Sequence, residues 1–281
     1  MSLITNSPIL DLTGQEILSA IKKKELIEAE EKLGVMYLDA VQNEKPVKLN
    51  KTDGFYALKK NLGTEITTAQ KLAIKNGTFE DLPIGGYWTL NGNIYRIAHH
   101  NYYLETGDTA CTSNHIIVVP DNNLYSAKMN NENITTGGYK DSLMRTTNLA
   151  TALTTFETDF GASHILSHRI LITNAVSSGQ ASGWEWVNSK VDLMSEVMVY
   201  GHPVWGQSGY ETGIEKTQLA LFKLCPEFIN KQRSWFWLRS VNSGSGFCNV
   251  YGGGAANYGS ASYSGGVRPA AAIYFDDVSN E

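Results

Sequence analysis

Between Arg239 and Arg268 the chain runs for 28 residues without a charged side chain. The run reads SVNSGSGFCNVYGGGAANYGSASYSGGV, and its centre, Gly252 to Gly265, uses only Gly, Ala, Asn, Tyr and Ser. Residues of this kind have weak strand propensity, so any order here must be imposed by a frame around them. Two apolar segments supply one: SWFWLRS (Ser234–Ser240) before the tract and GVRPAAAIYF (Gly266–Phe275) after it. A Gly/Ser-rich linker is the plain alternative, but a linker is not clamped in this way. Tyr, Ser, Gly and Asn are also what binding loops select. Tyr gives rigid contact area at low entropy cost, and the small polar residues give adaptable hydrogen bonds. The tract reads as a recognition surface, with Asn242, Ser245, Asn249, Tyr251, Asn257, Tyr258, Ser260, Ser262 and Tyr263 as its ligand-binding residues.

The 281 residues suffice for one large domain or two smaller ones. Texture changes near residue 80. Residues 1–80 carry 11 Lys and 11 acidic residues but no Arg or Trp, and only two of the 14 Tyr precede Tyr87. The sequence therefore divides into 1–80 and 81–281. A net charge of −5 without a basic cluster argues against nucleic acid. Lys22-Lys23-Lys24 is answered by Glu25, Glu28, Glu30 and Glu31, as on a solvated helix face. Cys111, Cys225 and Cys248 form no CxxC and suggest reduced thiols. The start, MSLITNSPILDL, lacks the basic and apolar regions of a secretory signal, and no apolar run approaches membrane-spanning length.

Thr13-Gly14-Gln15-Glu16 is a capping-box pattern, and Ile17, Leu18, Ile21, Leu26 and Ile27 give the helix Thr13–Leu33 an apolar stripe. That stripe has little private core to cover, so self-association is expected. Strand-like pieces follow at Val35–Val41, Pro46–Leu49 and Phe55–Leu58, then a short helix from Thr67 or Thr68 to Lys75. Beyond Asp81, Tyr87–Leu90, Ile94–Ala98, Ile116–Val119, Trp235–Arg239, Phe247–Tyr251 and Val267–Tyr274 read as strands, with Asn91-Gly92 as a hairpin turn. Asp141 through Phe156 and Val191–Tyr200 read as helical, Thr217–Lys223 as a short helix or strand, and Ile165–Ile172 is ambiguous. No internal repeat is evident.

Trp237-Leu238-Arg239-Ser240, Phe247-Cys248, the Asn/Tyr/Ser-rich tract and Gly266-Val267-Arg268-Pro269-Ala270 resemble the C-terminal domain of phage and prophage proteins from Gram-positive gut bacteria. DLPIGGYWTLNGNIYRI (81–97), HIIVVPDNNLY (115–125), TTGGYKDSLMR (135–145), LITNAVSSGQASGWEW (171–186) and KVDLMSEVMVYG (190–201) fit in order. That domain is similar to C-type lectin-like folds of the formylglycine-generating-enzyme branch, whose relatives include phage tropism determinants and retroelement-diversified variable proteins. The resemblance implies an α+β fold, a C-type lectin-like domain preceded by a smaller attachment region, with Asn93–Ala98 and Ala270–Phe275 pairing to close the domain. It implies a virion structural protein whose lectin-like domain binds a host cell-surface glycan or protein. Residues 1–80 would meet other virion proteins and form a homo-oligomer, a trimer by analogy with phage fibres. Asn, Tyr, Ser, Gly, Ala, Val and Phe codons can all end in a pyrimidine. Randomising the adenines of Asn codons yields this set without a stop, and Asn242–Ser264 holds little else.

Chemistry is sparse by comparison. His164-Ile-Leu-Ser-His168 has a one-face helical spacing but no HExxH glutamate. His99 and His100 would face opposite sides of a strand, and His115 and His202 have no local partner. No two cysteines are brought together by spacing, and Cys248 in Phe-Cys-Asn-Val reads as a small buried hydrophobe. Asp121-Asn122-Asn123 could offer oxygens to calcium, but after a proline they read as a turn. Trp88 and Trp205 read as core, as does one of each pair Trp184/Trp186 and Trp235/Trp237. Arg239 and Arg268 read as pins for tract carbonyls. No Ser-His-Asp order, paired carboxylates or metal set stands out. The expectation is a non-enzyme without cofactor, metal or membrane segment. The alternatives are a glycan-active or oxidase-type enzyme on the same fold, or a bacterial surface adhesin.

Overall fold

The computed structural model describes residues 60–206 and 218–279, and Thr67 opens the first helix among them. The Thr67 hydroxyl accepts from the Gln70 amide N–H while the Gln70 side-chain oxygen accepts from Thr67 N–H, a reciprocal capping box. Helix α1 (Thr68–Lys75) ends at Asn76, and Gly77 at φ 61° turns the chain. Strand β1 (Asn61–Gly63) pairs in parallel with β2 (Tyr87–Leu90). Leu62 and Ile74 are buried in the same core as Trp88. Residues 60–80, expected to close the attachment region, thus belong to the folded unit that follows. The expected helix Thr13–Leu33 and the three strand-like pieces after it lie outside the described residues.

Asn91 and Gly92, at φ 47° and 87°, turn β2 into β3 (Asn93–His100), the left-handed pair a two-residue hairpin needs. β4 (Ile116–Pro120), β8 (Val191–Leu193) and β13 (Pro269–Ile273) complete a sheet in the order β1-β2-β3-β4-β13-β8. The expected pairing of Asn93–Ala98 with Ala270–Phe275 does not occur. β4 lies between them, with Ile97 opposite Val118 and Val118 opposite Ala271. All five residues of β4 are buried. An apolar run without alternation suits a central strand covered on both faces.

The second sheet runs β11-β10-β9-β12-β5, from β5 (Tyr125–Lys128), β9 (Phe236–Ser243), β10 (Gly246–Val250), β11 (Ala256–Ser260) and β12 (Ser264–Val267). Helix α2 (Leu149–Phe160) follows a π turn and buries Leu149, Ala152, Phe156 and Phe160 at helical spacing. Ile165–Ile172 resolves partly into a long two-stranded ribbon, β6 (His168–Ser177) and β7 (Gln180–Ser189), turned by Ser178 and Gly179 at φ 52° and 74°. Val191–Tyr200 is not one helix. It divides into β8 and the short helix α3 (Glu196–Tyr200), because the Ser195 hydroxyl caps Met198 N–H and starts the helix there. Helix α4 (Ala220–Leu224) packs beside it. Both sheets and the helices bury one core, with Trp88, Ile117, Phe156, Phe222, Trp237 and Phe247 inside. The fold is α+β, dominated by sheet. No helix among the described residues is long and apolar enough to cross a membrane.

Candidate functional site

Two buried arginines, Arg239 and Arg268, flank the tract. Arg268 donates from Nε to Pro120 O at 2.7 Å and from its terminal nitrogens to Ile229 O at 2.7 Å and Phe228 O at 3.1 Å. Burial pushes its pKa down to about 10, against the upward pull of Asp121. Arg239 donates to Leu193 O at 3.2 Å. Both bind carbonyls of the frame rather than of the tract they were expected to pin. Trp237 is fully buried and donates to Ala127 O; Trp235 meets it edge to face at 4.9 Å. This packing fixes β12. A Cβ on Gly265 would lie 2.2 Å from the Trp235 ring, and one on Gly266 1.9 Å from the Asn123 amide.

On that frame the tract forms β10, β11 and the start of β12. Tyr251, Tyr258 and Tyr263 are exposed, at 58%, 48% and 58%. Asn242, Asn257, Ser260 and Ser262 are half-buried, and Ser245 is exposed in the β9–β10 turn. Ser262 donates from N–H and hydroxyl to Asn133 Oδ1. Asn257 Oδ1 accepts from Tyr258 N–H at 2.8 Å. Asn249 departs from the expected surface. It is buried at 4% exposure, in register with Trp237 on one side and Asn257 on the other. A central position in the sheet makes it a supporting residue rather than a contact.

The sequence reading missed three residues. Trp205, expected in the core, is 46% exposed and lies edge-on to Tyr258 at 5.0 Å, with its indole N–H on Ala256 O. Val204 and Ile134 are exposed as well. Both loops are tied to the tract: Asn242 donates to Trp205 O, and Thr135 donates to Ser243 O and Gly244 O. The 204–206 loop owes its shape to Glu196. The N–H groups of Val204, Trp205 and Gly206 all donate to that buried carboxylate, at 2.9, 3.1 and 2.6 Å. A bare apolar letter between His202-Pro203 and Gly206 looks like core; only its turn-forming neighbours signal otherwise.

A family model for a domain of unknown function, DUF6273, matches residues 107–274, well over half of the chain. The chain belongs to that family. Neither the curated proteins nor the solved structures contain a match to it. The DUF6273 match spans β4 through β13 and so includes the whole tract, Glu196 and Trp205. It leaves out α1 and the strands β1, β2 and β3, although those strands complete the first sheet of the same folded unit.

His164 and His168 share no helix face: one ends a single 3-10 turn and the other begins β6. His99 and His100 are both buried; the His99 ring accepts from Ala220 N–H and His100 bonds Leu82 O. His115, read as lacking a local partner, bonds Ser113 O at 2.9 Å and accepts from Tyr103 N–H at 3.1 Å. Asp121 is buried in a two-pronged pair with Arg96 at 2.6 and 2.8 Å. Its oxygens serve that pair, while the chain bends at Asp121-Asn122 between β4 and β5, in keeping with the turn it was read as. Cys248 is fully buried, as its apolar strand suggested. Among the described residues no three His, Cys, Asp or Glu side chains are placed to hold a metal ion.

Proposed function

We propose that the tract and its two bonded loops form the ligand-recognition surface of a non-enzymatic virion structural protein. The ligand is a glycan or protein on a host cell surface. One observation carries this reading. Every large apolar side chain left exposed among the described residues, Ile134, Val204, Trp205, Tyr251, Tyr258 and Tyr263, belongs to the tract or to a loop hydrogen-bonded to it. Aromatic side chains displayed on a rigid frame are what anchors of recognition surfaces look like. A C-type lectin-like frame, a homotrimer and attachment to other virion proteins through residues 1–80 belong to the same proposal and come from the resemblance.

The test is binding of the labelled full chain to a panel of Gram-positive gut bacteria. Tyr258→Ala with Tyr263→Ala should abolish cell binding and leave the melting temperature unchanged. Retained binding by that folded variant would overturn the assignment.

A further inference from the structure

A groove of about 970 Å³ opens at one end of the tract, between the 227–235 segment and the turn at 251–253. Its walls carry two aromatic rings. Tyr251 is exposed, while Trp235 is half-buried and braced edge-on by Trp237. Asn230 lies beneath them, nine-tenths buried. Its amide N–H groups are both used, on Tyr251 O at 2.7 Å and Ser234 O at 3.1 Å, which leaves Oδ1 as an acceptor with no partner. A buried acceptor left unpaired is destabilising unless a donor reaches it. A ligand hydroxyl, or a water carried in with the ligand, is such a donor.

The groove also has a charge of its own. Lys231 and Arg233 line it against a single acid, Glu227, in a chain of net charge −5. Lys231 lies 3.7 Å from Asp121, but that carboxylate is already held by both prongs of Arg96. Arg233 sits at φ 57°, a left-handed conformation that is costly for a side chain of its size. A Cβ on Gly252 would lie 2.9 Å from Arg233 O, so the 251–253 turn and the 230–234 loop are pressed together and the groove's shape is fixed.

The geometry points to this groove as a binding site for an acidic saccharide, a sugar chain bearing carboxylates. This deepens the recognition reading and rests on it, since Tyr251 belongs to both surfaces. The C–H face of a pyranose would lie on the Tyr251 and Trp235 rings. A hydroxyl would supply the donor that Asn230 lacks, and the carboxylate would meet Lys231 and Arg233. The groove has no aliphatic lining residue, so a peptide finds no pocket for an apolar anchor.

The full chain should be applied to immobilised oligosaccharides bearing uronate or sialate, to uncharged ones of matched length, and to oligoglutamate. The acidic sugars should bind about tenfold more tightly than the uncharged ones. Tyr251→Ala should abolish that binding, and Lys231→Gln with Arg233→Gln should weaken it about tenfold, with melting temperatures unchanged. The Tyr251 ring can be removed safely because its backbone bonds to Ala255 and Asn230 remain. No sugar binding, equal binding of uncharged sugars, stronger binding of oligoglutamate, or indifference to Tyr251→Ala would each overturn the proposal. Cell binding that is lost in the Tyr258/Tyr263 variant but kept in Tyr251→Ala would overturn the groove alone and leave the recognition surface standing.

Discussion

Acid should unfold this protein well above the pH at which its carboxylates protonate. Three buried histidines, His100, His115 and His168, are held neutral. Burial is the main cause in each, and the crowding of these imidazoles around one another, with the Arg239 guanidinium beside His168, further opposes protonation. Their pKa values fall from 6.5 to about 3, about 4 and about 3. The bonds of His115 require the same state, since one ring nitrogen faces a carbonyl and the other must accept from Tyr103 N–H. A histidine depressed in the fold lends its full stability above its unfolded pKa. That stability is lost as pH falls from 6.5 towards the folded value, because only the unfolded chain takes up the proton. At about pH 5.5 each site has lost on the order of 1 kcal/mol, and the three together ~4 kcal/mol. By about pH 5 the loss reaches ~6 kcal/mol, comparable with the whole stability of many domains. Urea melts followed by tryptophan fluorescence from about pH 7.5 to about pH 5 should show a steep fall beginning near pH 6.5. His168→Phe keeps a ring on Tyr103, which stacks at 3.8 Å, and should flatten the slope by about one third. A midpoint that does not move across this range would refute the reasoning.

The tract's glycines should divide sharply. Gly265→Ala should cost at least ~2 kcal/mol, because its Cβ meets the Trp235 ring, whereas Gly253→Ala, with nothing within 4 Å, should move the thermal midpoint little. Trp237→Ala should cost ~3–5 kcal/mol in the same melts and Tyr258→Ala within ~0.5, and equal losses would show that the tract is core. Sedimentation of the full chain against a chain beginning at Lys60 should show an oligomer only in the former. Truncation at Asp81 would be a poor comparison, because it removes Leu62 and Ile74 from the core.

Local chemistry made much of this architecture legible. The helix start at Thr67, the Asn91-Gly92 turn and the apolar strand β4 depend on neighbours a few residues away, and each forms where its letters indicate; the helix read from Asp141 through Phe156 becomes a π turn at Met144–Asn148 followed by α2. Long-range placement was less legible. The ribbon turn at Ser178-Gly179 and the division of Val191–Tyr200 at Ser195 carry weak signals, because short apolar segments suit helix and strand alike.

What the sequence determined by itself was that 240–267 must be a clamped, uncharged segment rich in binding-loop residues, since composition needs no geometry. Tertiary structure decided which of those residues meet solvent. In a sheet, exposure depends on what covers each face. Asn249 disappears beneath its neighbours while Tyr258 stays in the open beside Trp205, which lies 53 positions earlier in the chain than Tyr258. The strand order was likewise beyond composition: β4 separates β3 from β13 because a strand that is apolar on both faces is stable only when both are covered. The groove at Asn230 joins segments some twenty residues apart, and it exists only because Gly252 lets two loops touch.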